Sequence, residues 1–387
     1  MKIIYISTVT SKKLMNKIIE ESKNKPLQSI QKFHRLICEG FAKNNVEIKT
    51  YSSIPMSRKI SSKFIWFNKK EKENGVEYNY IPFINIKIIR QICTFIGITF
   101  NIIKECIKNK KQKVFICDIL NTTISSTTLV LSKIFRFKCI AIVTDLPRDM
   151  TNARKLSGKI NECLQSKYDG YIILTEAMNE IVNTNKKPSV VIEGIADSEI
   201  IRENENIEKY KEKVCMYAGG LYEKYGVKAL IEAFLAIENK DMRLHLYGAG
   251  DLEDYIKELK DDRVKYYGVV KNDVIVEEEK KATLLINPRF TSDEYTKYSF
   301  PSKNIEYMAS STPLLTTKLP GMPKEYYDYI YCFDEESIEG MQKTLLTILN
   351  KPTKELMQKG DLAKKFVLKN KNNKVQVDKI VNLITNL

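Results

Sequence analysis

The stretch VCMYAGGLYEKYGVKALIEAF, Val214–Phe234, decides how this chain folds. Val214–Ala218 is a short apolar run of the kind that makes a buried strand. Gly219-Gly220 is a turn, the polar segment with Lys224 is a loop, and Gly226–Ala236 carries apolar residues at helical spacing. A strand that feeds a helix through a glycine turn is half of a βαβ unit. Glycines let a backbone approach a ligand closely, and a helix N-terminus with a lysine nearby attracts phosphate. A plain βα turn explains Gly-Gly equally well, so the remainder of the chain has to choose.

Outward from that unit the pattern repeats. Strand candidates in the second half are Val214–Ala218, Arg243–Tyr247, Val264–Tyr267, Ala282–Ile286, Pro313–Thr317 and Tyr329–Phe333, with helical patterns between them. HLYGAGDLEDYI gives a second strand–glycine–helix turn at Gly248 and Gly250. The first half alternates in the same way through Lys2–Ser7, Glu47–Ser52, Val114–Asp118, Cys139–Thr144, Gly170–Leu174 and Ser189–Ile192. Such alternation predicts parallel sheets with helices on both faces. The densely charged segment Asp197–Lys213 marks a boundary. The expected architecture is α/β, two doubly wound Rossmann-like domains facing across a cleft: residues 1–197 and residues 198–365. A terminal helix, about 366–387, is free to pack back onto the first domain.

Bulk properties narrow the function. The chain has 387 residues and a formal charge of +15, which favours an anionic partner: nucleic acid, a phosphorylated small molecule or an acidic membrane surface. Its 8 cysteines never reach CxxC spacing, so they read as buried thiols in a reducing compartment, and no metal site is expected. Only 2 histidines occur; His245 alternates within an apolar strand, so histidine catalysis is not expected. The apolar N-terminus is too short for a signal peptide, and Thr94–Ile103 is about half the roughly 20 residues of a spanning helix. The chain reads as cytoplasmic.

SFPSKNIEYMASSTPLL, Ser299–Leu315, puts Lys303 and Glu306 three residues apart after a proline turn. On spacing alone that is an exposed i,i+3 ion pair. Taken with the two glycine turns, VKYYGVV (Val264–Val270), ATLLINP (Ala282–Pro288) and GMPKEYYD, the order of motifs resembles the C-terminal domain of the retaining, GT-B-fold glycosyltransferases of family 4, the glycosyl transferases group 1. The resemblance extends more thinly over the first domain, through QKFHRL, AIVTDLP, GYIILTEAM and VVIEGIAD.

The resemblance implies a nucleoside-diphosphate sugar donor and a saccharide acceptor, a hexosyltransferase-type reaction with retention. The family's diphosphate-gripping arginine falls on Gly220, which leaves Lys224 of that pair. Its paired glutamates fall on Tyr298 and Glu306. The chain looks like a subset with a Ser-x-Pro-Ser-Lys turn in place of the first glutamate. There Ser299, Ser302 and the following helix start would cradle phosphate, Lys303 would supply the missing cation, and Glu306 would hold the ribose. Gly219, Gly220, Gly248, Gly250 and Val270 would line the donor. Asp145, at the end of a buried strand, would stand near the reacting sugar, or it caps the next helix or turn. The family's Gly-Gly loop after the first strand is replaced by a long, polar, lysine-rich Thr8–Gln31. Front-face transfer in this fold needs cations and helix N-termini rather than a metal or a strong base.

SRKISSKFIWFNKKEK, Ser57–Lys72, interleaves Phe64, Ile65, Trp66 and Phe67 with basic residues including Lys69 and Lys70. Such mixing suits contact with an anionic membrane, and a lipid-linked acceptor in cell-surface polysaccharide synthesis. A nucleic-acid patch or an ordinary loop would look the same. The competing functions are a GT-B-fold sugar-nucleotide epimerase and a basic nucleic-acid-binding protein. No nucleic-acid module supports the second.

Overall fold

The computed structural model describes residues 1–22, 28–108, 112–146, 163–197 and 207–387. The chain forms two compact units, Met1–Ile195 with Asn373–Leu387, and Ala196–Asn372. Pro147 and most of the charged boundary segment fall outside the described residues.

The first unit contains β1 (Lys2–Ser7), β2 (Glu47–Ser52), β3 (Ile65–Trp66), β4 (Glu71–Glu73), β5 (Val76–Tyr80), β6 (Phe83–Ile84), β7 (Lys113–Asp118), β8 (Lys138–Val143), β9 (Gly170–Ile173) and β10 (Ser189–Val191). Eight of these make one sheet, ordered β10-β9-β8-β7-β1-β2-β5-β4. All pairs are parallel except β4 with β5. The central strands β1, β7 and β8 are apolar between their ends because both faces are covered, as parallel sheets require. Helices α1 (Lys12–Glu21), α2 (Ser29–Lys43), α3 (Lys87–Lys108), α4 (Thr122–Ile134) and α5 (Glu176–Val182) accompany it. Ser11 caps α1 by accepting from the Leu14 N–H at 3.0 Å, so the expected Thr8–Gln31 loop contains a helix. Its lysines lie on a face that spares the buried Leu14, Met15 and Ile18.

The second unit is a six-stranded parallel sheet of β11 (Lys213–Ala218), β12 (Met242–Tyr247), β13 (Val264–Gly268), β14 (Leu284–Asn287), β15 (Leu314–Thr316) and β16 (Tyr331–Cys332). Its order, β13-β12-β11-β14-β15-β16, is that of a doubly wound nucleotide-binding sheet. Helices α6 (Val227–Leu235), α7 (Glu253–Glu258), α8 (Asn272–Lys281), α9 (Ser302–Ala309), α10 (Ile338–Leu349) and α11 (Thr353–Asn370) surround it. A last helix, α12 (Asn373–Thr385), belongs to the first unit. It lays Val377, Ile380 and Ile384 into that unit's core, and Asn44 Nδ2 donates to the Lys374 carbonyl at 2.8 Å.

Two expectations need correction. Trp66 is no membrane anchor: it is 4% exposed, stacked on Phe83 with centroids 6.3 Å apart. The cause is strand alternation. β3 turns Trp66 inward and leaves its neighbours Ile65 and Phe67 outside. Among the cysteines, Cys38, Cys117, Cys139 and Cys215 are buried, but Cys163 is exposed; it lies just beyond the undescribed segment 147–162.

Candidate functional site

In the second unit the winding reverses between β11 and β14, and ligands of such sheets bind beyond the strand ends at that point. Four segments meet there. The Gly219–Leu221 turn follows β11, Gly248–Gly250 follows β12, Pro288-Arg289 follows β14, and α9 starts at Ser302. The first two turns press backbone on backbone. The Gly219 N–H donates to the Tyr247 carbonyl at 3.0 Å and the Leu221 N–H to Ala249 at 3.0 Å. A Cβ on Gly248 (φ +126°) would stand 1.8 Å from the Gly219 carbonyl, and one on Gly250 2.1 Å from that of Leu221. These two glycines are therefore required by packing of the turns on each other, whatever they do for a ligand.

Tyr307 fixes α9 against the end of β11. Its hydroxyl accepts from the Ala218 N–H at 2.8 Å and lies 3.2 Å from the Ala218 carbonyl. That anchor carries Lys303 and Glu306 to the switch point. Lys303 Nζ stands 2.8 Å from Glu306 and 3.7 Å from Glu279, whose carboxylate side chain is 2% exposed. Burial disfavours the lysine's charge, but Glu306 and Glu279 outweigh it and hold its pKa above the ordinary value. The i,i+3 pair read from sequence exists, then, but it leans on a buried third charge.

Sequence reasoning missed Arg289 and Glu279. The Arg289 guanidinium lies 4.6 Å from the Tyr225 ring and 5.9 Å from the Tyr295 ring. Lys224, exposed, has its Nζ 5.2 Å from the Tyr225 ring and 5.7 Å from the Tyr222 ring. Among the described residues no carboxylate pairs with either cation. Burial raises the Tyr217 phenol pKa, while Arg289 and Lys303 both pull it down; the two cations flank the same strand end. The available signal was position, since Arg289 follows the apolar β14 run, and β14 lies beside β11.

In the Ser-x-Pro-Ser-Lys turn Phe300 and Pro301 are buried, and Ser299 and Lys303 are half-buried. Pro301 precedes α9 and offers no side-chain cap, so the first N–H groups of the helix lack the usual capping oxygen. Ser302 is exposed. The Ser299 hydroxyl oxygen is buried with no hydrogen-bond partner, and a buried polar atom of that kind is a place for a ligand or water. Val270 is half-buried against the core, and Tyr298 ends the short 3-10 turn Glu294–Lys297. His245 is a buried strand residue whose pKa burial depresses.

In the first unit Asp145 is half-buried, two residues beyond β8. The switch of that sheet, between β1 and β7, holds a cleft of about 220 Å³ lined by Thr8, Ser53, Ser57, Arg90, Thr94 and Asn121, among others. Nearby, His34 Nδ1 lies 2.5 Å from the Tyr5 hydroxyl and Nε2 3.6 Å from Asp118. All three are buried, so this cluster is part of the core. Phe64, Lys69 and Lys70 are exposed.

Residues 212–351 match the family model described as Glycosyl transferases group 1. No curated protein matches the sequence. Sucrose-phosphate synthase from Thermosynechococcus elongatus is similar in structure, with TM-score 0.71 and 12% identity over 100% of this chain and 99% of that one. HepE from Anabaena in complex with UDP gives 0.64 and 12%, over 100% of both chains. The lipopolysaccharide outer core galactosyltransferase WaaB in its apo form gives 0.62 and 15%, over 100% and 99%. Likeness at such identities is likeness of fold. With the group 1 domain over residues 212–351, the chain is a glycosyltransferase of the GT-B fold.

Proposed function

We propose that the chain moves a sugar from a nucleoside-diphosphate donor to a saccharide acceptor, with retention and without a metal. The acceptor is lipid-linked and the product a cell-surface polysaccharide, made at the inner face of the membrane. The observation that carries the donor side is the convergence of Arg289, Lys303 and the uncapped start of α9 at the β11/β14 switch. Those are the groups a departing diphosphate needs. Arg289 takes the place of the arginine that Gly220 does not provide, and Lys224 supports it from the loop.

In the structure Lys303 is shared by Glu306 and Glu279. A diphosphate that draws Lys303 away frees Glu306 to accept from the ribose hydroxyls, while Ser299 and Ser302 close on phosphate oxygens. Asp145 stands by the reacting sugar, and the cleft with Arg90 in the first unit takes the acceptor. A membrane-surface setting agrees with the +15 charge, with the exposed Phe64, Lys69 and Lys70, and with WaaB, a galactosyltransferase of the lipopolysaccharide outer core, among the similar folds.

A thermal-shift panel of UDP, GDP, ADP, CMP and their sugars tests the donor site, since a ligand that binds only the folded chain raises its melting temperature. One nucleoside diphosphate stabilising the protein in EDTA is the expected outcome. No shift with any nucleotide, or a shift that needs a divalent cation, overturns the proposed donor chemistry.

A further inference from the structure

The longest described helix of the first unit has an apolar side that the protein leaves uncovered. α3 turns Thr94, Ile98, Ile102 and Glu105 inward, where all four are buried. On the opposite side Ile88, Ile92, Phe95, Ile96, Phe100 and Ile107 are exposed, with Ile88 at 72%, Phe95 at 53% and Ile107 at 77%. Their spacing of three, four and seven residues is that of one helical face. Single exposed apolar residues need no explanation, but a contiguous apolar stripe of this length on a folded surface marks an interaction site.

The stripe continues onto a second element. β3 pairs antiparallel with β6, the Asn85 N–H donates to the Phe64 carbonyl at 2.7 Å, and α3 begins two residues later. Phe64, Ile65 and Phe67 are all exposed on and beside β3. No helix among the described residues is long and apolar enough to cross a membrane, so the stripe can lie on a bilayer but not span it.

Charge selects the occupant. The only carboxylate in α3 is Glu105, and it is turned into the unit, 3.1 Å from Lys49 and 3.5 Å from Lys2. The outward side therefore carries no negative charge. Lys87 and Lys104 are exposed on the same helix, and Lys63, Lys69 and Lys70 on the segments flanking β3. A buried interface with a second copy would bring these cations together at an energetic cost, whereas anionic headgroups neutralise them.

We infer that the outer side of α3 and the Phe64–Phe67 segment form the docking surface for an anionic lipid bilayer, with Ile88, Ile92, Phe95, Ile96 and Phe100 entering the acyl boundary and the lysines resting on headgroups. The inference deepens the membrane part of the proposed function and does not depend on the donor site.

The test is flotation of the full chain with vesicles of phosphatidylcholine alone or mixed with phosphatidylglycerol. The protein is expected to float with the mixed vesicles, and less so at high salt. The exposed-residue variant Ile92→Ser, Phe95→Ser, Ile96→Ser should lose binding roughly 100-fold or more, the scale of three lost side-chain burials. Lys87→Glu with Lys104→Glu should lose only the preference for phosphatidylglycerol. The melting shift given by a nucleotide should persist in both variants. Its loss would condemn the donor reading or the fold instead, and circular dichroism separates those two. Flotation of the triple variant like the parent overturns the inference, as does a parent that ignores all vesicles. A parent dimer on gel filtration that the triple variant converts to monomer would assign the surface to a second copy.

Discussion

Lys303 Nζ lies 2.8 Å from Glu306 Oε2, and the same ammonium stands 3.7 Å from the buried Glu279. A freely exposed pair at this spacing contributes about 0.2–0.5 kcal/mol. This one serves a carboxylate that burial makes costly to leave alone. Lys303→Met should therefore lower the melting temperature as well as turnover, the latter by roughly 10²–10³. Adding Glu279→Gln should restore the melting temperature and leave turnover low. Recovery of both in the double variant would make Lys303 a structural residue only.

Glu306→Gln separates the roles further. It removes a charge from Lys303 but keeps the shape, so folding should be unchanged. Losing charge-assisted hydrogen bonds to ribose, about 1.5–3 kcal/mol, weakens nucleotide binding roughly 10- to 150-fold. Titration calorimetry reads this directly, and an unchanged dissociation constant removes Glu306 from the donor site.

Arg289→Ala should cost nucleoside diphosphate affinity on a similar scale, with little effect on the matching nucleoside. Arg289→Lys should recover only part, because a lysine cannot make the forked contact of a guanidinium with phosphate. If the diphosphate and the nucleoside lose affinity equally, Arg289 does not touch phosphate.

Much of the fold was legible because parallel strands buried on both faces read as apolar runs: β1, β7, β8, β11 and β12 stand within a residue or so of where the sequence puts them. The strand β5, Val-Glu-Tyr-Asn-Tyr, was missed since it is the second arm of a short antiparallel hairpin with the edge strand β4 and alternates in burial. At the site, motif order located Lys224, Lys303 and Glu306, but proximity across the sheet is invisible in a string. Arg289 is distant in sequence from Tyr225, and Glu279 from Lys303, and they meet only because β14 lies beside β11 and α8 ends near α9. Trp66 failed for a related reason. Aromatic–basic mixing says that a segment is amphipathic, and only strand alternation says which ring is inside.

Gly248→Ala tests the packing of the two turns. Its Cβ would meet a main-chain carbonyl at 1.8 Å with φ at +126°, and no rotamer change can relieve it. The cost should exceed about 4 kcal/mol, in the exceptional tail of single substitutions. Gly268→Ala is the control, with φ +65° and the nearest atom 3.9 Å away, so only the left-handed strain of about 1–2 kcal/mol applies. Equal denaturation midpoints for the two variants would contradict this geometry.

Lys209 supplies a pH signature of the second unit. Its Nζ donates to the Ala282 carbonyl at 2.8 Å and to Thr312 Oγ1 at 2.7 Å. Burial, opposed by Asp361, lowers its pKa to about 8, below the roughly 10.4 of an unfolded lysine. The folded chain thus releases this proton before the unfolded one does. Between about pH 8 and 10.4 the unfolded state binds more protons at this site, so Lys209's contribution to stability rises with pH, by at most about 1.4 kcal/mol per unit. Below pH 8 the penalty of a buried ammonium is constant. Other groups titrate in the same range, so the readout is a difference: the unfolding free energy of the parent minus that of Lys209→Met, from denaturant melts at pH 7, 8 and 9. The difference should be flat from pH 7 to 8 and climb from 8 to 9. A difference that falls over the second interval would mean that the folded state holds the proton more tightly, and that Lys209 is stabilised as an ion by a carboxylate rather than strained by burial.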